Sequence, residues 1–149
     1  MSHGFEESPM KMPIPDDVEG HCLAADLPPV IDAHVHVFPA ALFEAVRSWF
    51  DAYAWPVRYR IDARAVVDFL DRRGLAHLVV MQYAHRPGIA ASLTRLMADL
   101  CRHDPRLTGL ATVYPGEAGA ASILEQAFAL GLGGVKLHAH VQCFALDGA

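Results

Sequence analysis

Two histidines at a spacing of two, His34 and His36, are the residues of this sequence that most directly suggest chemistry. They lie in a run of β-branched and aromatic residues, 30–38, which predicts a short buried strand. Because a strand sends residues i and i+2 to the same face, both imidazoles are expected to point the same way. Such a pair can hold a divalent metal, with zinc as the expected ion. Asp32 has the same parity, so it is expected to orient a ligand ring.

A second group of candidate residues lies near the end of the chain. Lys136, His138 and His140 alternate with apolar residues, so on a strand they would share one face. A buried lysine is costly unless it is paired or modified, and an ion pair with a carboxylate is one explanation for Lys136. His138 and His140 could contact substrate, a metal or a ligand ring. We expect these three residues to bind substrate or support the metal ligands.

The elements that must position these residues alternate along the chain. Strands are predicted at 30–38, 75–82, 107–113 and 134–138, and helices at 42–53, 62–74, 88–103 and 117–130. This alternation indicates an α/β protein with parallel strands in the order 1-2-3-4. Helices would cover one face, and Asp32, His34, His36, Lys136 and His138 would lie on the other. An open doubly wound sheet is the alternative, but no glycine-rich dinucleotide fingerprint follows the first strand.

The pattern Asp-x-His-x-His on a first strand resembles the amidohydrolase superfamily of metal-dependent hydrolases. Gly-Val-Lys-Leu-His at 134–138 resembles the fourth strand of its amidohydrolase-2 branch, which also includes decarboxylases of aromatic and unsaturated acids. The resemblance implies a partial (β/α)8 TIM barrel with about four parallel strands. In it, His34 and His36 would bind the catalytic metal, usually zinc.

The expected domain organisation follows from the same resemblance. Residues 1–28 are polar and broken by prolines, and they predict a flexible N-terminal arm. Residues 29–149 would form the N-terminal half of the barrel, because the family's ligands on later strands have no counterpart before the last residue. The chain is therefore expected to be truncated, to dock onto a missing C-terminal half, or to form a homo-oligomer that closes its open strand edges.

The resemblance implies a metal-dependent hydrolase that acts on a small-molecule substrate through a metal-activated water. The alternatives are a decarboxylase of the same branch, and a non-catalytic metal-binding remnant or interaction subunit. The loops after the strands would line the mouth of the barrel. Their aromatic and arginine side chains are candidates for substrate contact: Trp55, Arg58, Tyr59, Tyr83 and Arg86.

Composition excludes several other classes of protein. The chain has 149 residues, 53% hydrophobic and 19% charged, with a net charge of −5. It has no basic stripe, so neither nucleic acid nor an anionic membrane surface is an expected partner. No apolar run approaches the roughly 20 residues of a spanning helix, and the N-terminus does not read as a secretory signal. Three dispersed cysteines indicate reduced thiols and a cytoplasmic location.

Overall fold

Four parallel strands form one sheet in the order β1-β2-β3-β4, as the sequence predicts. The computed structural model describes residues 20–54 and 56–146. The strands are β1 (Ile31–His36), β2 (His77–Met81), β3 (Leu107–Ala111) and β4 (Gly134–Val135). The helices are α1 (Ala40–Tyr53), α2 (Ala63–Asp71), α3 (Ala90–Arg102), α4 (Ala120–Ala129) and α5 (Ala139–Gln142). Residues 1–19 of the predicted arm, Trp55 and residues 147–149 lie outside the described residues.

The hydrophobic core lies between one face of the sheet and helices α2, α3 and α4. Its fully buried members include Val67 of α2, Val80 of β2 and Met97 of α3. Gly109 of β3 allows close packing, because a Cβ atom there would meet side-chain atoms of three core neighbours at 2.8 Å. The helices therefore cover one face closely, and the opposite face is left to the polar residues of interest.

The first strand departs from the regular alternation that the sequence suggests. Asp32 pairs with Leu78 and Val35 pairs with Val80, so three steps along β1 match two along β2. The extra residue is a β-bulge, and it interrupts the regular alternation of side chains between the two faces of β1. Asp32 consequently pairs with a core-facing residue, and the prediction that it shares the face of His36 is wrong. The predicted burial is also wrong for most of β1, an edge strand in which only Val35 is buried.

The fourth strand is shorter than predicted. After β4 the backbone N–H of Lys136 still donates to the carbonyl of Ala111 at 2.7 Å, and the chain then turns into α5. His138 caps this helix, since its Nδ1 accepts a hydrogen bond from the Val141 N–H at 3.4 Å. His140 therefore lies on a helix, and the prediction that it continues the alternation of Lys136 and His138 is wrong.

The connection from β1 to β2 contains two helices of different character. In α2, Asp62 caps the first turn as predicted, accepting a hydrogen bond from the Ala65 N–H at 2.9 Å, and Val67 enters the core. In α1, by contrast, no residue is buried. None of the helices in residues 20–54 and 56–146 combines the length and apolar character needed to cross a bilayer.

Candidate functional site

The two histidines of β1 point toward each other at the carboxyl end of the strand. Their Nε2 atoms lie 3.0 Å apart and their ring centroids 4.9 Å apart, so the rings share a direction despite the bulge. His34 is exposed and His36 is half-buried. Desolvation, followed by the charges of His34, Lys136 and His138, lowers the pKa of His36 to about 4. The His36 ring is therefore neutral at pH 7, which is the form that binds metals.

The spacing of this pair is compatible with one metal ion. Two imidazole nitrogens bound to zinc at about 2.0–2.1 Å lie about 2.8–3.4 Å apart when the angle between them is 90–109°. The observed 3.0 Å between the Nε2 atoms of His34 and His36 falls within this range. The same distance also suits an N–H···N hydrogen bond in which one neutral ring donates to the other.

Other observations show that the pair alone could not complete a metal shell. Among the residues that the structure describes, no group of three or more His, Cys, Asp or Glu side chains could hold a metal ion. The Nδ1 atom of His36 is buried and has no hydrogen-bond partner, whereas metal-binding histidines usually donate that proton to a carboxylate or carbonyl. The two histidines thus fit two ligand positions, and further donors would have to come from beyond the described residues or from another molecule.

Lys136 reaches the histidine pair from the opposite edge of the sheet. Its Nζ lies 3.4 Å from the Nε2 of His34, although β1 and β4 would be about 14 Å apart in a flat sheet with strands about 4.8 Å apart. The sheet must therefore curve so that the face carrying these residues is concave. No carboxylate within residues 20–54 and 56–146 pairs with Lys136, so the ion-pair explanation finds no support there. Asp32 accepts a hydrogen bond from the backbone N–H of His34 at 2.9 Å.

Two buried aromatic rings fix the position of His36. Phe38 stacks on it with ring centroids 5.8 Å apart, and Tyr83 meets it edge-on at 5.6 Å. Tyr83 also meets the ring of His138 at 4.9 Å, so one phenol ring joins β1 to the segment after β4. Sequence reasoning missed Phe38, although its spacing of two from His36 could have placed it on the same face.

Gln142 is a second residue that the sequence did not reveal. Its side chain is buried, and its Nε2 donates to the carbonyls of Ala84 at 2.9 Å and Val113 at 2.7 Å. Its Oε1 accepts the backbone N–H of His138 at 2.7 Å. This amide ties together the segments that follow β2, β3 and β4. No sequence signal identified it, because α5 was not predicted.

The remaining candidates for substrate contact lie in different surroundings. Tyr59 lines a cavity of about 240 Å³ together with His36 and His138. The guanidinium of Arg58 lies 5.6 Å from the centroid of the Tyr59 ring, and Arg86 is exposed in the loop after β2. Trp55 lies outside the described residues.

A larger cavity of about 410 Å³ adjoins the histidine cluster. It lies between α1 and the segments that follow β2 and β4, and it is lined in part by His85 and His140. The smaller cavity shares Tyr83 with it. Both lie at the carboxyl ends of the strands, the usual location of ligand sites in parallel α/β proteins.

The chain matches no family model, no curated protein and no solved structure. What the structure establishes is the class of protein, a parallel α/β fold whose four-stranded sheet is compatible with part of a TIM-like barrel. Membership of the amidohydrolase superfamily remains a hypothesis based on the sequence motifs.

Proposed function

We propose that this chain carries two metal ligands, His34 and His36, of a metal-dependent hydrolase of the amidohydrolase-2 type. The observation that carries the proposal is the 3.0 Å separation of their Nε2 atoms at the carboxyl end of β1. The Asp-x-His-x-His motif supports it, and so does the compatibility of the sheet with part of a (β/α)8 barrel. Zinc is the expected ion, because neutral imidazoles are among its preferred ligands.

The other residues of the cluster would act on a small-molecule substrate. A bound divalent metal would supply Lewis-acid polarisation and a lowered pKa for water. Because the Nδ1 of His138 accepts a hydrogen bond, the neutral ring carries its proton on Nε2 and can donate it to a substrate oxygen. Desolvation, followed by the charge of Lys136, lowers the pKa of His138 and favours this neutral form. A protonated Lys136 beside His34 would attract an anionic group.

One observation favours each alternative function. The amine of Lys136 beside the histidine pair suits a substrate carboxylate, as a decarboxylase of the same branch requires. The lack of a third candidate ligand among the described residues suits a non-catalytic metal-binding or interaction subunit. Release of carbon dioxide would separate the decarboxylase from the hydrolase. Metal binding without turnover, in the presence of any partner that completes the fold, would favour the subunit.

Zinc binding by purified protein tests the shared premise of these proposals. We expect the wild-type chain to bind zinc, and the double variant His34→Ala/His36→Ala to bind it at least about tenfold more weakly in calorimetric titration. His103→Ala is the matched control, since His103 is an exposed histidine at the end of α3. Equal zinc affinity in the wild type and the double variant, both folded by circular dichroism, would refute the assignment.

A further inference from the structure

Helix α1 is an addition to the β1–β2 connection that the core does not require. A parallel crossover needs one helix, and α2 fulfils this role because Val67 is buried in the main core. Four apolar residues of α1, Leu42, Val46, Trp49 and Phe50, recur at intervals of three and four and line the larger cavity. Leu42 also packs against the small core cluster of Ala84, Ala90 and Leu93, whereas the rest of the apolar stripe of α1 faces a space of about 410 Å³.

The described residues of the wall opposite α1 include polar side chains, but none of them carries a fixed charge. They include Tyr83, His85 and His140. Among the described residues that line the cavity there is no Asp, Glu, Lys or Arg. A cationic ligand would lose its hydration and find no carboxylate in return. The volume lies within the range of about 300–1,000 Å³ that is usual for small-molecule sites.

The cavity is connected to the histidine cluster through shared walls. Val46, Phe50 and Tyr83 line both the larger cavity and the smaller one that contains His36 and His138. The rings of Tyr83 and His36 lie 5.6 Å apart, centroid to centroid. A molecule seated against α1 would thus extend past Tyr83 toward the histidine cluster, where the Nζ of Lys136 lies 3.4 Å from the Nε2 of His34.

We propose that the space beneath α1, the α1 cavity, binds an uncharged apolar group. This group belongs to a small molecule whose neutral or anionic end lies toward His36 and His138. That this end of the molecule reacts rests on the proposed function. The position of the apolar group rests on the cavity alone. The α1 cavity selects ligands by apolar fit and by exclusion of positive charge.

Three naphthalene probes that differ in charge test the proposal: 2-naphthalenesulfonate, 2-naphthalenemethanol and 2-naphthylmethylammonium. Calorimetric titration of the full chain should show one saturable site for the sulfonate and the alcohol, and binding at least about tenfold weaker for the ammonium compound. The sulfonate and the alcohol should also perturb the fluorescence of Trp49, which lines the cavity.

Two alanine substitutions on α1 provide a matched pair. Ala45 and Ala52 are both exposed, and Ala45 lines the cavity whereas Ala52 is not among its lining residues. Ala45→Phe should weaken binding of the alcohol at least about tenfold by occupying the space, and Ala52→Phe should leave it within about twofold. Equal binding by both variants would overturn the proposal, as would equal affinity for the ammonium probe.

Two further outcomes would overturn the proposal. Failure of every probe to saturate the wild-type chain would mean that the space is closed to small molecules. A wild-type dimer that Ala45→Phe converts to a monomer would mean that a second copy fills it. Zinc and probe titrations together keep the two proposals separate. Ala45→Phe should still bind zinc, and His34→Ala/His36→Ala should still bind the alcohol probe. If the wild-type chain binds the probes but does not bind zinc, only the metal site is refuted.

Discussion

Replacing Gln142 by methionine should destabilise the protein substantially, because methionine approximates its shape but neither donates nor accepts the same hydrogen bonds. The buried amide makes three hydrogen bonds, two to the carbonyls of Ala84 and Val113 and one from the N–H of His138. At about 0.5–1.5 kcal/mol each, their loss should lower the free energy of unfolding by about 1.5–4.5 kcal/mol. The upper end is expected if the buried carbonyls find no new donor.

Equilibrium urea denaturation followed by circular dichroism measures this loss. In a chain of 149 residues, the expected change corresponds to a fall in Tm of roughly 5–14 °C. Gln126→Met is the control, since Gln126 is exposed on α4 and makes a 3.3 Å hydrogen bond to Ser122; its effect should stay within about 0.5 kcal/mol. A loss below about 1 kcal/mol in Gln142→Met would show that the amide does not hold the strand ends together.

Three further predictions concern packing, capping and protonation. Gly109→Ala should lower the free energy of unfolding by about 1–3 kcal/mol, because the new Cβ would meet three side-chain atoms at 2.8 Å. Gly20→Ala is the control and should not change stability, since nothing lies within 4 Å of a Cβ there. Equal urea midpoints for the two variants would contradict the packing argument. Asp62→Ala should cost about 0.5–2 kcal/mol by removing the cap of α2, which thermal denaturation would detect and Asp62→Asn should largely restore. An NMR titration should give His36 a pKa of about 4, lowered from 6.5 mainly by burial. Because folding favours the neutral ring, the contribution of His36 to stability is lost as the pH falls from 6.5 toward about 4. A titration midpoint near 6.5 would disprove the lowered pKa.

The layout of the fold could be predicted from the sequence because alternation of apolar runs is a local signal. The strand order, the parallel direction and the Asp62 cap all follow from such signals and are confirmed. The end of β4 was misplaced because the alternation of Lys136, Leu137 and His138 continues past Val135, whereas pairing with β3 does not. Tertiary pairing decides where a short strand ends, and periodicity cannot show it.

The sequence predicted which residues form the candidate site better than it predicted their geometry. The shared direction of His34 and His36 followed from a period of two. The bulge that removes Asp32 from their face depends on how β1 pairs with β2, and a single strand does not contain that information. The contact between His34 and Lys136 joins residues 102 positions apart, so it depends on the curvature of the sheet. Metal binding, hydrolase activity and the cytoplasmic location remain predictions.

The lack of buried residues in α1 has a consequence for local unfolding. A helix that contributes little to the core can open without melting the rest, so its amides should exchange with solvent at a free-energy cost well below that of global unfolding. The amides of α3, which includes the buried Leu93 and Met97, should exchange only when the whole domain unfolds. Stabilising the core would then leave the opening rate of α1 unchanged, so the local stability of α1 and the lifetime of the fold could evolve independently.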